Sequence, residues 1–264
     1  MRRILLPEIP STNSWMLDAL SQGETLVDET VVYTFRQTQG RGQVGNSWES
    51  EPGCNVTFSL LLRPVFLPVP RQFLISELCC LGVVDGLKAI CKGTPAGDLF
   101  CSRLCVKWPN DIYVGDEKLG GILIENRLMG STLSESILGV GINVNQRSWI
   151  GNAPNPTSLF LHGQSFEPEL VLDAVSSSII RRYRALRQDL DAYAAQLHTE
   201  FAEHLYRRGG WHTYVDSQTD EKFVARIAGV DPQGPLSLML QNGDVRHYWF
   251  KEVKFVLPCG VIKE

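Results

Sequence analysis

The sequence has no long apolar run, no excess of basic residues and no paired-cysteine motif. No apolar stretch approaches the ~20 residues that a membrane helix needs, and Pro7 and Pro10 interrupt the apolar N-terminal segment before a signal-peptide core forms. The formal net charge of −4 and the pI near 5.8 argue against a protein whose main function is to bind nucleic acid. We therefore expect neither a membrane nor DNA as a partner.

The cysteines do not predict a disulfide framework or a metal site. There are 7, an odd number, without a C-x-x-C pair or a nearby histidine at zinc-finger spacing. Cys101 and Cys105 are close in sequence but lack a second ligand pair, and Cys259 stands apart near the C-terminus. Reduced thiols in a cytoplasmic protein are the expectation.

The first two thirds of the chain alternate between strand and helix patterns. Ser11, Thr12 and Asn13 predict a capped helix that ends near Gly23. Pro70 opens a long amphipathic helix, and further strands are predicted at 30–35, 55–62, 104–108, 112–114, 119–125 and 136–144. A tight Gly115-Asp116 turn joins two of these strands. We therefore expect an α+β domain with a mixed, largely antiparallel sheet backed by helices.

The remaining third predicts two helices followed by a small all-β unit. Helical patterns cover 168–187 and 190–208, and Gly209-Gly210 then marks the best domain boundary. Short strand patterns at 223–227, 236–240, 245–250 and 253–256 follow. The predicted division is a domain at 1–208 and a small β-barrel at 209–264.

A glycine-rich segment at 40–45 is the first candidate ligand loop. In Gly40-Arg41-Gly42-Gln43-Val44-Gly45, the glycines let the backbone approach a ligand, and Arg41 offers a charge-assisted donor to a carboxylate or phosphate. It is neither a Walker loop nor a dinucleotide fingerprint, because no G-K-[ST] follows and a strand comes next. A plain glycine-rich turn remains the alternative.

The segment Lys107-Trp108-Pro109-Asn110-Asp111 is more specific. It combines a cation, an aromatic ring, a proline and two short polar side chains, which suits a nucleotide with its metal. The alternative is a strand–turn–strand connection in which Trp108 belongs to the core.

Lys118 begins a third candidate segment, Lys118-Leu119-Gly120-Gly121. A lysine at a hairpin is usually a solvated edge residue. Here two glycines follow it inside a strand, which makes sense when something approaches the backbone closely. Gly139 and Gly141 bare one face of another predicted strand in the same way.

These blocks, in this order, resemble the catalytic domain of biotin protein ligases, a family related in fold to class II aminoacyl-tRNA synthetases. The resemblance spans residues 11 to 143, and the C-terminal unit is similar to the family's last domain, a barrel of the Src-homology-3 kind. Lipoate ligases share the fold but not the pair of G-R-G and K-W-P-N-D motifs.

The chain departs from the pattern of biotin protein ligases in two ways. The catalytic blocks begin by residue 11, so we expect no N-terminal DNA-binding domain, and Gln43 and Asn46 stand where the family often has basic residues.

The resemblance implies a two-step reaction. Biotin and ATP form biotinyl-5'-AMP with Mg²⁺ present, and the biotin then passes to a lysine of a biotin carboxyl carrier domain. Lys118 and Arg41 are the implied catalytic cations. Implied biotin contacts are Ser11, Thr12, Asn13, Gln37, Arg41, Gly42, Gln43, Lys118, Gly121 and Gly141. Implied nucleotide contacts are Trp48, Lys107, Asn110, Asp111 and Asn143, with Asp111 also as the metal ligand.

Two other functions stay open at this point. A lipoate or octanoate ligase or transferase of the same fold would bind an apolar chain. A non-catalytic biotin sensor would not need Lys118 or the nucleotide block, so their presence disfavours it. The sequence does not fix the oligomeric state, and a homodimer remains open.

Overall fold

The computed structural model of the chain describes residues 1–43, 46–151 and 155–257. Val44, Gly45 and Cys259 lie outside the described residues. In chain order the strands are β1 (Arg2–Leu5), β2 (Thr30–Thr34), β3 (Gly40–Arg41), β4 (Ser47–Trp48), β5 (Val56–Leu62), β6 (Leu104–Lys107), β7 (Asp111–Val114), β8 (Glu117–Met129), β9 (Thr132–Ile142), β10 (His212–Asp216), β11 (Lys222–Val230), β12 (Leu236–Leu240), β13 (Val245–Tyr248) and β14 (Val253–Phe255). The helices are α1 (Thr12–Ser21), α2 (Phe73–Cys91), α3 (Pro95–Arg103), α4 (Pro168–Gln188) and α5 (Leu190–Glu203).

A seven-stranded sheet forms the centre of the molecule, in the order β1-β2-β5-β9-β8-β7-β6. Only the β1–β2 pair of this sheet is parallel, and its other neighbours are antiparallel. The predicted mixed, largely antiparallel sheet is therefore confirmed.

Helices cover the two faces of this sheet unequally. The larger core lies beneath α2 and α4, which approach so closely that a Cβ at Gly82 would stand 2.6 Å from Ile179. The smaller core lies on the opposite face, where Met16 and Ala19 of α1 pack against Val32, Leu61 and Ile137. Burial of a large aliphatic side chain contributes roughly 1.5–3 kcal/mol. The strand face that α1 leaves uncovered is where the candidate site lies.

The C-terminal strands form a second, five-stranded antiparallel sheet, in the order β13-β12-β11-β10-β14. It packs on the first part of the chain beside the K-W-P-N-D segment. The indole Nε1 of Trp108 donates to the carbonyl of Gly234 at 2.8 Å, and the Trp108 and Phe250 rings lie 6.3 Å apart. Trp108 is buried, which agrees with the core alternative for this side chain.

Several elements differ from the sequence predictions. The strands β1 and β10 and the helix α3 were not predicted, and the glycine-rich loop contains the short β3–β4 ribbon. Helix α5 ends at Glu203 rather than at residue 208. Helix α4 carries Arg181, Arg182, Arg184 and Arg187, a run whose pattern alone favours a solvated face. Arg182 departs from this pattern, since its guanidinium is mostly buried and pairs with Asp85 and Glu200, each at 2.7 Å.

Candidate functional site

Three glycines leave a bare patch in the middle of the large sheet. Gly121 of β8 pairs with Gly141 of β9, and Gly139 of β9 pairs with Leu123 of β8. Because side chains alternate along a strand, Gly139, Gly141 and Gly121 all face the side occupied by α1. We call these three residues the glycine floor.

The N-terminus of α1 stands over one end of the glycine floor. Ser11 caps the helix by accepting from the backbone N–H of Ser14, as predicted. The hydroxyl of Ser59 donates to Thr12 Oγ1 at 2.8 Å and also contacts Asn13 Oδ1. A Cβ at Gly139 would overlap the carboxamide of Asn13. This glycine is therefore required for α1 to present Asn13 to the sheet.

Trp48 covers the other end of the glycine floor. A Cβ at Gly141 would lie 2.5 Å from its indole ring, and one at Gly121 would lie 3.4 Å away. The indole Nε1 is buried and has no hydrogen-bond partner among the described residues. A buried donor without a partner is costly, so this N–H is suited to an acceptor atom on a ligand.

Arg41 stands at the rim beside α1. Its guanidinium lies 2.9 Å from Glu125 Oε1 and 3.2 Å from Ser14 Oγ. The second oxygen of Glu125 accepts from Asn13 Nδ2 at 2.8 Å. One carboxylate therefore fixes both a cation and a carboxamide at the same edge of the site.

Lys118 provides the second cation, on the opposite side of the glycine floor. Its Nζ lies 2.8 Å from Asp111 Oδ1, and both side chains are about one-quarter to one-third exposed, at 30% and 26%. This ion pair connects the K-W-P-N-D segment with the segment in which Lys118 is followed by Gly120 and Gly121. Lys118 is therefore held at the site and is not a solvated edge residue.

These features enclose a cavity of about 130 Å³. It brings together all ten residues that the resemblance implied for biotin, together with two of those implied for the nucleotide. The lining includes Ser11, Thr12, Asn13, Gln37, Arg41, Gly42, Gln43, Trp48, Asp111, Lys118, Gly121 and Gly141. Gln37 is held there because its Oε1 accepts from the backbone N–H of Thr12 at 3.0 Å.

Three of the residues implied for the nucleotide lie outside this lining. Lys107 donates to the Tyr113 hydroxyl at 3.2 Å and stands 5.5 Å from the Phe255 ring centroid, and its burial lowers the pKa of the amine. Asn110 lines a second cavity of about 530 Å³, which adjoins the first at Gln43 and Leu123. Asn143 is 3% exposed and donates from Nδ2 to the Thr157 carbonyl at 2.8 Å.

Glu125 and Ser59, which hold residues of the cavity without lining it themselves, were missed from the sequence. Both side chains project from the same strand faces as the glycine floor, at cross-strand positions next to it. The alternation along β5 and β8 carried this information. This alternation alone, without the strand register, does not show that Glu125 meets Arg41, which lies 84 positions away in the sequence.

The described residues contain no group of three or more His, Cys, Asp and Glu side chains able to hold a metal ion. Asp111 is the carboxylate nearest to Lys118, at 2.8 Å. Mg²⁺ commonly binds through one or two carboxylates together with nucleotide phosphates. Asp111 is one carboxylate, so a metal ion bound there would also need ligands from a nucleotide.

The sequence matches the biotin/lipoate A/B protein ligase family over residues 5–143. The chain belongs to this family. It is 36% identical to the bifunctional ligase/repressor BirA of Bacillus spizizenii over 83% of its own length, and it spans 64% of that relative. It is 30% identical to the biotin--[acetyl-CoA-carboxylase] ligase of Paracoccus denitrificans, covering 67% of this chain and 71% of that one.

The fold is also that of a solved family member. The biotin protein ligase from Aquifex aeolicus in complex with biotin and ATP superimposes with a TM-score of 0.74 at 23% identity, covering 96% of this chain and 97% of that one. This likeness extends across both sheets, so the C-terminal strands are part of the shared architecture. No helix among the described residues is both long and apolar enough to cross a membrane.

Proposed function

We propose that the chain is an ATP-dependent biotin protein ligase that forms biotinyl-5'-AMP and transfers biotin to a lysine of a biotin carboxyl carrier domain. One observation carries the proposal: a glycine-floored cavity lies between two cations, Arg41 and Lys118, each held by a carboxylate. Family membership narrows the candidate substrates to biotin and lipoyl-type acids.

The shape and polarity of the cavity favour biotin over an apolar chain. Biotin carries a wide bicycle with a polar ureido group, and the glycine floor lets Asn13 and Trp48 lie close against the sheet, where both line the cavity that would hold it. Hydroxyl and amide groups of Ser11, Thr12, Asn13 and Gln37 line the same cavity and are suited to the ureido group. The tail of a lipoyl or octanoyl chain has no group that hydrogen-bonds to them, so it would cover these polar side chains without adding a bond.

The two cations suit the first half-reaction. A biotin carboxylate oxygen attacks the α-phosphorus of ATP, and the bond to pyrophosphate breaks. Negative charge accumulates on the phosphate oxygens as this happens, and Lys118 and Arg41 stabilise it. Because Asp111 and Glu125 already fix these side chains, little reorganisation is needed when the substrates arrive.

Neither half-reaction requires a protein nucleophile, and in the second one the acceptor lysine itself is the nucleophile. The acceptor lysine amine attacks the carbonyl of the mixed anhydride, AMP leaves, and the attacking nitrogen loses a proton.

We propose that Asp111 faces the nucleotide and holds Mg²⁺ together with its phosphates, where the metal would offset their charge. Lys107, Asn110 and Trp48 remain the proposed nucleotide side of the site, whereas Asn143 is buried and lines neither cavity.

We propose that residues 209–264 form a separate unit that helps to receive the acceptor. The second cavity is lined by Trp108 and Asn110 from the first part of the chain and by Gly234, Trp249 and Phe250 from the second. It adjoins the biotin cavity at Gln43 and Leu123, so it offers the acceptor lysine an approach to the anhydride.

The experiment is exchange of labelled pyrophosphate into ATP, measured separately with biotin, lipoate and octanoate. The proposal predicts exchange that depends on biotin and Mg²⁺. Exchange with lipoate or octanoate alone would favour the apolar-chain alternative. Saturable biotin binding without any exchange would favour the sensor.

A further inference from the structure

Lys118 sits beside an irregularity in its strand. Between β7 and β8, Tyr113 pairs with Lys118 while Ile112 pairs with Gly120, so Leu119 is an extra residue without a partner on β7. A bulge of this kind bends the strand and re-aims neighbouring side chains, and bulges are common next to active sites. The direction of the Lys118 side chain toward Asp111 therefore depends on the backbone around Leu119.

Residues 155–157, from the loop that follows β9, bind the backbone of Lys118 on the edge of β8 that faces away from β7. The Lys118 N–H donates to the Asn155 carbonyl at 2.7 Å, and the Thr157 N–H donates to the Lys118 carbonyl at 2.9 Å. Residues 155–157 thus form a parallel bridge to Lys118 through Pro156. We call residues 155–157 the strut.

Asn143 joins the bulge to the strut. Its backbone N–H donates to the Leu119 carbonyl at 3.0 Å, and its side-chain Nδ2 donates to the Thr157 carbonyl at 2.8 Å. The side chain is almost fully buried, so loss of the Nδ2 donor would leave the Thr157 carbonyl without this bond in a place that water does not readily reach.

We propose that Asn143 is a positioning residue for Lys118, acting through the strut and the Leu119 bulge; this inference rests on the proposed function of Lys118. Loss of the Asn143 side chain removes one of the hydrogen bonds that hold the strut, so the strut and the Lys118 backbone can shift. A displacement of the order of 1 Å at a catalytic group can cost ~10²-fold in rate. The effect should therefore fall on turnover and should require Lys118 itself.

Asn145 offers a matched control on the same segment. Its Nδ2 donates to a backbone carbonyl, that of Phe166, at the same distance of 2.8 Å. Like Asn143, it has a buried Oδ1 without a hydrogen-bond partner among the described residues. It anchors the far end of the same loop, away from Lys118, so Asn145→Ala removes the same chemistry without touching the strut.

The first test compares Asn143→Ala and Asn145→Ala in the biotin-dependent exchange reaction, each with and without Lys118→Ala. We expect Asn143→Ala to lower kcat by ~10-fold to ~10²-fold, with the KM for ATP changed less than threefold. We expect almost no further loss when Lys118→Ala is already present. Asn145→Ala should keep its kcat near that of the wild type.

Two results would overturn the proposal. If Asn143 instead contacts the nucleotide directly through its Oδ1, the KM for ATP will rise while kcat is retained. If Asn143 only supports the fold, its effect will persist undiminished in the Lys118→Ala background, and Asn145→Ala will behave like it.

A second readout does not depend on the reaction. Trace acetylation followed by mass spectrometry reports the reactivity of Lys118, with the exposed Lys222 as the internal reference. Asn143→Ala should raise Lys118 labelling several-fold, because Nζ leaves Asp111 more often, and Asn145→Ala should not. Equal labelling in all three proteins would contradict the proposal. Absence of exchange in the wild type would contradict the proposed function. The acetylation of Lys118 would still show whether Asn143 positions Lys118 through the strut.

Discussion

Glu125 holds Arg41 at 2.9 Å with one carboxylate oxygen while the other accepts from Asn13 at 2.8 Å. We expect Glu125→Ala to raise the KM for biotin ~10-fold or more, because the Asn13 carboxamide loses an acceptor, at a cost of about 1–3 kcal/mol. Glu125→Gln should have a smaller effect, since an amide oxygen still accepts and the pair with the 44%-exposed Arg41 contributes less than about 1 kcal/mol.

Initial rates over a range of biotin concentrations test the role of Glu125. Glu221→Gln is the matched control, because Glu221 forms a similar pair with Arg246 at 3.0 Å in the second sheet. Equal KM values for Glu125→Ala and the wild type would show that Asn13 and Arg41 do not need this carboxylate.

Gly139→Ala should block the site while preserving the fold. The new Cβ would overlap the Asn13 carboxamide, so Asn13 and the first turn of α1 must shift. Overpacking of this kind costs about 1–3 kcal/mol of stability, and we expect biotin binding by calorimetry to be lost. Gly229→Ala in β11 is the control, because a Cβ added there would have nothing within 4 Å. Normal biotin affinity in Gly139→Ala would show that Asn13 is not a biotin contact.

The sequence predicted those parts of the fold whose signals are local. Ser11 as a cap, the amphipathic pattern of α2 and the strand pattern at 119–125 each depend on neighbouring residues, and the structure confirms these elements. The strand β1 was missed because its 4 residues are only partly buried and are specified by parallel pairing with β2, about 28 positions later. The helix α3 did carry a local signal, with Thr94 as cap and Pro95 in its first turn.

The site was predictable in composition but not in its connections. The glycines and cations stood out as residue types, yet the contacts of Glu125 with Asn13 and of Asn143 with Thr157 depend on the strand register and on a loop fold. Such pairings are decided by tertiary packing, which residue patterns within one element do not encode.

Gln43→Arg should slow the escape of the adenylate. Gln43 lines both cavities and donates only neutral hydrogen bonds, worth about 1 kcal/mol, whereas a charge-assisted bond to the phosphate is worth about 1.5–3 kcal/mol. Release of labelled adenylate without acceptor, after removal of free ligand, measures the difference. Gln39→Arg adds the same charge at an exposed position outside both cavities. Equal release from Gln43→Arg and the wild type would show that residue 43 points away from the phosphate.

The pair of the buried Glu77 and the partly exposed His198 should make stability depend on pH. Glu77 Oε1 lies 2.7 Å from His198 Nδ1, and this hydrogen bond raises the pKa of His198 above its ordinary value of 6.5. Burial likewise raises the pKa of Glu77 above 4.5. A raised folded-state pKa means stabilisation that is complete below the ordinary pKa and is lost as the pH rises through the folded value.

The Tm difference between the wild type and His198→Asn, measured from pH 5.5 to 9, tests this dependence. The wild type should be the more stable at pH 5.5, and its advantage should shrink as the pH rises above about 6.5. His212→Asn controls for the loss of a partly buried histidine that contacts a backbone carbonyl instead of a carboxylate. An advantage that is constant or grows with pH would mean that the pair is not formed as described.

The rate of biotinyl-5'-AMP formation by Lys118→Ala, measured in a single turnover beside the thermal melt of the same sample, tests the central claim most directly. If Lys118 offsets the charge that develops on the carboxylate and phosphate, its removal should cost about 3–4 kcal/mol of transition-state stabilisation, a ~10²–10³-fold loss of rate. The Tm should change little, because a partly exposed ion pair contributes less than about 1 kcal/mol to stability. A near-normal rate of adenylate formation would contradict the account and return Lys118 to the ordinary surface lysines.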